Sequence, residues 1–255
     1  MKVAMIAPIG TSAPVVTEMV MHINGLEGME LTDVVVMPTR DELVMAHATL
    51  ARVALKHRYG RMRVHLHPLP FRDIGSTGDT VEFMRIAAKL VAEERRVHGC
   101  ERVYLSIAGG RKDVCVSLAI VGQIMGADGV FHVINPEVRV INEQLERLRE
   151  RIFELHRAPE EEKGEVYGRY REDFESVMFP PIERLRYVQI PCIPYPEDYI
   201  GRIGTLLNTS GRVRIERTGL EMRELKRLER AGMVRIVGDE VAVTEFGEMV
   251  GRIWR

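Results

Sequence analysis

Five short apolar runs, Lys2–Ala7, Thr32–Met37, Arg63–His67, Glu101–Ile107 and Val130–Ile134, alternate with longer helical patterns near 14–25, 41–58, 79–97 and 111–126. The runs are nearly continuous, as in strands buried on both faces, and strand–helix alternation predicts a parallel sheet covered by helices on each side. The expected fold class is α/β, a Rossmann-like doubly wound parallel sheet over residues 1–135. Helix starts are legible too. Pro14 falls in the first turn of the first helix, Asp41 and Glu42 follow Thr39 at the head of the second, and Ser76 or Asp79 opens the third.

From Pro136 the pattern changes. Asn142–Leu155 reads as a charged helix, 158–171 as a polar, weakly periodic segment expected to be an exposed insertion or linker, and Arg186–Ile190 as a further strand. Pro191, Pro194 and Pro196 then punctuate a connection, which places a boundary near 195 and leaves 136–196 as a charged helix, insertion and connecting strand. Residues 197–255 read as a smaller domain. It comprises a helix at Tyr199–Leu207, a strand at Arg212–Ile215, a helix at Leu220–Ala231, and the strand pair Met233–Val237 and Glu240–Val243 turning at Gly238-Asp239. Gly232 ends the helix before this pair and Thr244 caps the last helix.

Composition narrows the class. At 255 residues, 45% hydrophobic and 29% charged, the chain suits two folded domains rather than a disordered or membrane protein. No stretch reaches the ~18–20 apolar residues of a membrane span, and Met1–Ala7 reads as a first strand rather than a signal peptide. A net charge of -1 supplies no general cationic field, so any anion site must be local. Cys100, Cys115 and Cys192 form neither a zinc signature nor a disulfide framework, so a cytoplasmic protein is expected. The 14 methionines have no ligand-like spacing and are read as packing residues.

The candidate chemistry lies in two strand-to-helix loops. In an open parallel sheet, ligands bind beyond the carboxyl ends of the strands where strand order reverses. The first loop, Gly10-Thr11-Ser12-Ala13-Pro14, lets a phosphate approach backbone N–H groups at a helix N-terminus, and Ser12 adds a hydroxyl. The second, Ala108-Gly109-Gly110-Arg111-Lys112, makes the same transition and adds two cations. Either loop alone is also what a structural turn looks like; the pair is the signal, and it points to a ligand with more than one phosphate. The loop Phe71–Asp79, after the third strand, belongs to the same rim. There is no GxxxxGK[ST] and no GxGxxG after the first strand, which argues against ATP hydrolysis and NAD chemistry.

The stretches IGTSAPVVTE (9–18) and LSIAGGRK (105–112) resemble the CRISPR-associated Rossmann-fold (CARF) superfamily, specifically its ring nucleases. The C-terminal stretch LKRLERAGMVRIVGDEVAVTEFG resembles a winged helix-turn-helix domain, a common attachment in that superfamily. The resemblance implies a homodimer formed through the CARF domain that binds cyclic tetra-adenylate across its two-fold axis. It further implies cleavage without metal or cofactor, in which a ribose 2′-OH attacks its neighbouring phosphate and leaves a 2′,3′-cyclic phosphate, ending type III CRISPR signalling. Lys112 and Ser12 would be the catalytic residues, with Gly10, Thr11, Ala108, Gly109, Gly110 and Arg111 binding the ligand. The sequence departs from the usual pattern twice: Ala13 stands between Ser12 and Pro14, and Asp113 follows Lys112. Two alternatives stay open, a non-catalytic cyclic-oligoadenylate sensor that regulates transcription through its winged helix, and an inactive scaffold.

Other groups are given blander readings. His65 and His67 share a strand face without a third metal ligand, and no other histidine has the HExxH spacing. Arg212, Arg214, Arg217, Arg223, Lys226, Arg227 and Arg230 stand against four glutamates. This stretch reads either as a DNA-phosphate face or as a solvated face paired through Glu224 with Arg227 and through Glu229. Phe246 and Trp254 are expected to pack the last helix.

Overall fold

The computed structural model describes residues 1–26, 28–193 and 195–254; Pro194, one of the three prolines expected to punctuate the connection, lies outside them. The five expected strands form as β1 (Val3–Ile9), β2 (Asp33–Pro38), β3 (Arg63–Leu66), β4 (Arg102–Ser106) and β5 (Gly129–Ile134). All pair in parallel in the order β3-β2-β1-β4-β5, so strand order reverses between β1 and β4. Every residue of β1 is buried. Val3, Met5, Ala7 and Ile9 enter the core on one face of the sheet, and Ala4 and Ile6 enter the core on the other. This is the reason the run lacks polar alternation.

The helices α1 (Pro14–Gly25) and α2 (Glu42–Arg58) cover the first face, and α3 (Thr77–Arg96) and α4 (Lys112–Ile124) the second. Asp41 caps α2 by accepting from the Leu43 and Val44 amides, and Ser76 caps α3 by accepting from Asp79. On α4, Gly122 lies so near the sheet that a Cβ would stand 2.7 Å from Val130 Cγ2, so this helix packs tightly against its strands.

Beyond Ile134 the chain stays within this architecture. The expected charged helix divides into α5 (Val138–Arg147) and α6 (Arg149–Arg157). The segment 158–171, expected as an exposed insertion, instead leads into α7 (Lys163–Arg169) and then α8 (Arg171–Met178), which pack onto the α1–α2 face. Tyr167 and Phe174 are fully buried and stacked at 5.5 Å, and the Thr17 hydroxyl donates to the Met178 carbonyl. The buried Lys163 ammonium donates to the carbonyls of Leu155 and His156, closing the end of α6. Helices of seven and eight residues are too short to show their apolar stripe among so many glutamates and arginines. The expected strand β6 (Arg186–Ile190) then joins the sheet antiparallel to β5, so the sheet has six strands and extends past residue 135.

The C-terminal elements are α9 (Glu197–Leu207), β7 (Arg212–Arg214), α10 (Met222–Arg230), β8 (Val234–Val237), β9 (Glu240–Val243) and α11 (Glu245–Gly251). The strands form a three-stranded antiparallel sheet in the order β7-β9-β8 over a small core of Ile203, Leu206, Leu207, Leu225, Leu228 and Val241. Gly238 turns the hairpin at φ +64° and Thr244 caps α11, both where expected. Ile253 is buried in the core of the α3–α4 face, with Trp254 beside it, and this anchors the C-terminal elements to the Rossmann-like sheet. No helix among the described residues is long and apolar enough to cross a membrane.

Burial of Tyr167 yields a direct test. Tyr167→Ala is expected to lower stability to urea by ~3–5 kcal/mol, the cost of truncating a core aromatic, whereas a residue in an exposed insertion would change it by about 0.5 kcal/mol or less.

Candidate phosphate-binding cleft

Because β1 and β4 are neighbours, the loops that follow them lie side by side. They lie close because glycine lets them. A Cβ on Gly109 would overlap the Pro8 carbonyl oxygen and stand 3.2 Å from the Ile9 Cα, and one on Gly10 would touch the Gly110 amide at 3.6 Å. Gly110 itself has φ +90°, a conformation that other residues rarely adopt. The two loops then feed α1 through Ala13 and α4 through Arg111, and no side chain caps either helix. Both positive helix ends therefore keep amide donors available for an anion.

A cleft of about 660 Å³ opens over these loops. Gly10, Thr11, Ser12, Ala108, Gly109, Gly110 and Arg111, all expected at the site, line it together. So do Arg72, Asp73 and Ile74 of the loop after β3, the segment placed on this rim by the strand pattern, and Thr39 and Asp41 before α2. Lys112 is exposed at the head of α4, outside the cleft lining, and forms no ion pair among the described residues. Ser12 is half-buried and lines both this cleft and a smaller cavity of about 250 Å³ between α1 and the end of β5.

Of the two arginines that line the cleft, Arg111 is held by carboxylates and Arg72 forms no ion pair among the described residues. The Arg111 guanidinium donates to Asp73 and lies 3.6 Å from Asp113 Oδ1. Asp113, the departure after Lys112, thus faces Arg111 at the loop's end. Both ion pairs are largely solvent-exposed, so they hold Arg111 weakly and an incoming phosphate can compete for it.

Sequence periodicity gave no sign of His47. This residue of α2 is buried at 4% exposure, and its Nδ1 has no hydrogen-bond partner. Burial lowers its imidazole to about 4, against the opposing pull of the Thr11 backbone. A histidine on an alanine-rich helix carries no spacing signal; only the fold brings it beneath the first loop.

Neither histidine of the 65/67 pair belongs to a cluster of possible metal ligands among the described residues: His65 Nε2 meets Arg63 Nη1 at 3.1 Å, and His67, just past the end of β3, lines a small cavity with Glu82 and Arg85. Asp33, Glu94 and Cys100 bring possible metal-ligand atoms within 4.8 Å of one another at the amino-terminal edge of the sheet. Arg63 already bonds both carboxylates there, and burial with those two acids pushes the Cys100 thiol up to about 12.

On α10 Arg223 pairs with Glu221 at 2.8 Å, but the ion pairs expected of Glu224 and Glu229 do not form among the described residues. The Glu224 carboxylate accepts from the Glu221 amide at the helix start, and the Glu229 carboxylate accepts from the Ile236 amide of β8. Lys226, Arg227 and Arg230 are left exposed and without ion pairs among the described residues.

The family model for CRISPR-associated protein NE0113 (Cas_NE0113) matches residues 12–209, more than half of the chain. The protein belongs to this CRISPR-associated family. Among solved structures, the chain is similar to Csm6 of Enterococcus italicus bound to cyclic hexa-2′-fluoro-hexa-dAMP, with a TM-score of 0.47 and 14% identity over 81% of this chain and 46% of that one. It is also similar to protein VC1899 of Vibrio cholerae, with a TM-score of 0.39 and 11% identity over 98% of this chain and 64% of that one. The chain spans less than two thirds of either structure. No curated protein matches it.

The buried imidazole makes stability depend on pH. His47 stays neutral in the native state down to about 4 but protonates near 6.5 when unfolded, so the unfolded state holds more protons between these values. Stability is therefore expected to fall as pH drops from 6.5 to 4, by at most about 3 kcal/mol from this group. His47→Gln should flatten the slope of denaturation midpoint against pH; His22, His65, His67 and His156, all lowered by burial, contribute in the same direction as His47, and Glu18 and Glu94, raised by burial, in the opposite one.

Proposed function

We propose that this protein binds a cyclic oligoadenylate, with cyclic tetra-adenylate as the ring, and cleaves it as a metal-independent ring nuclease. The observation that carries the proposal is the pair of helix N-termini, α1 and α4, that open without side-chain caps onto one cleft where strand order reverses. Such a pair suits a ligand with several phosphates, and membership of a CRISPR-associated family fits a signalling nucleotide of that class. A symmetric ring is matched by two copies of the site, so the working unit is a CARF homodimer with an isologous interface.

In the cleavage step the ribose 2′-oxygen attacks the adjacent phosphorus in line and the P–O5′ bond breaks. The 2′-hydroxyl loses its proton and O5′ gains one, which leaves a 2′,3′-cyclic phosphate and a 5′-hydroxyl. Ser12 and the loop amides orient the phosphate, and Lys112, unpaired at the head of α4, stabilises charge on the phosphorane. Arg111 exchanges Asp73 and Asp113 for phosphate oxygens.

A second reading rests on α10. Its unpaired Lys226, Arg227 and Arg230 favour a winged helix that contacts DNA phosphates, so that the protein acts as a ligand-dependent transcriptional sensor.

Incubation with radiolabelled cyclic tetra-adenylate in EDTA is expected to give linear products on chromatography. Ser12→Ala and Lys112→Ala should each slow cleavage about 10²–10³-fold, the cost of losing one donor to a developing oxyanion. Tight binding of a ring that stays intact would exclude the nuclease and leave the sensor. For the sensor, the double variant Lys226→Ala, Arg227→Ala should weaken a DNA gel shift equally across sequences and lower its salt slope by about one for each phosphate no longer neutralised; an unchanged slope removes α10 from the interface.

A further inference from the structure

The cavity between α1 and the end of β5 has no part in the proposed chemistry, yet its walls are specific. It holds about 250 Å³ and meets the main cleft at Ser12, Val15 and Ala108. Val15 and Glu18 stand three residues apart on α1 and share one face of it, and Ser12 lies in the loop just before the helix. Val138 and Ile141 supply apolar wall opposite.

Glu18 is the unusual group. At 2% exposure it is a nearly fully buried carboxyl in the wall of a cavity. Its Oε1 accepts from Asn135 Nδ2 at 2.6 Å, and its Oε2 has no hydrogen-bond partner among the described residues. Asn135 is fixed in turn, because its Oδ1 accepts from the Glu137 amide at 2.9 Å, which determines the orientation of its side-chain amide. Ordinary packing does not leave a buried carboxyl half-partnered. Among the described residues, no lysine or arginine lines the cavity, and His132, the other titratable group in its wall, makes no hydrogen bond or ion pair with Glu18.

We propose that this cavity is an adenine-base subsite in which Glu18, oriented by Asn135, reads the edge of the base that carries the amino group. The inference rests on the cyclic-oligoadenylate reading of the neighbouring cleft and adds its base specificity. Adenine presents a ring-nitrogen acceptor beside the N6 amino donor. A protonated carboxyl presents the matching pair, a donor beside an acceptor. Asn135 sets their order: its amide donates to Oε1, which leaves the proton on Oε2, facing the ring nitrogen, and the second lone pair of Oε1 facing N6. Burial pushes the Glu18 carboxyl above the usual carboxylate range, against the opposing pull of Asn135, which favours this neutral form beside a phosphate site. A ring nucleotide whose phosphates lie on the α1 and α4 termini can turn a splayed base past Ser12 into this cavity, between aliphatic walls.

The test compares binding of cyclic tetra-adenylate with that of the same ring built from purine riboside, which lacks the 6-amino group, by calorimetry on the full-length protein. Wild type is expected to prefer the adenine ring at least tenfold. Glu18→Leu should bind the adenine ring at least tenfold more weakly and lose the preference. Glu18→Gln, which keeps a donor beside an acceptor and preserves the fold if leucine does not, should retain the preference. Wild type that binds both rings equally, or Glu18→Gln that folds but loses the preference, overturns the subsite while the ligand reading stands. Wild type that binds neither ring overturns the ligand reading and the subsite with it.

Discussion

The Gly109 backbone lies against the Pro8 carbonyl, too near for any side chain, and the geometry of the cleft depends on that approach. It presses the loop after β4 onto the end of β1. A parallel sheet whose order reverses between these strands already sets the two loops side by side. Glycine then removes the last side-chain layer between them, and two helices begin at one rim with their amide donors uncapped. An anion site can thus be built mostly from backbone. The side chains only tune it.

That tuning is partial. Arg111 lies between Asp73 and Asp113, whereas Arg72 in the same cleft is exposed and forms no ion pair among the described residues. In a chain whose formal net charge is -1, such local charge is what an anion site must rely on. Asp73 belongs to the loop that enters α3, and α3 lies on the face where Ile253 is buried. The cleft and the attachment of the C-terminal elements are therefore joined through one helix. Buried titratable groups surround the first loop on both sides, with His47 beneath it and Glu18 one turn beyond it, and burial favours the neutral form of each.

Local signals sufficed for much of this. Continuous apolar runs marked strands buried on both faces, and Pro14, Asp41, Ser76 and Thr244 marked helix starts that the structure reproduces. Gly10, Gly109 and Gly110 marked where backbone must pass close to backbone. Each signal is written within a few residues, because helix caps, turn conformations and side-chain alternation are short-range consequences of backbone geometry.

The sequence by itself determined the α/β alternation, the two glycine loops and their common rim. Tertiary structure decided whatever depends on residues far apart in the chain. It buried Tyr167 and Phe174 in a segment too charged to read as core, added β6 antiparallel at the sheet edge, and brought Asn135 onto Glu18 across more than a hundred residues. It also gave Glu224 and Glu229 to backbone amides, so that Arg227 and Arg230 form no ion pair among the described residues. The physical reason is common to all of these. A polar side chain takes whichever partner the fold brings nearest, and burial depends on what packs above a residue, which no local pattern records.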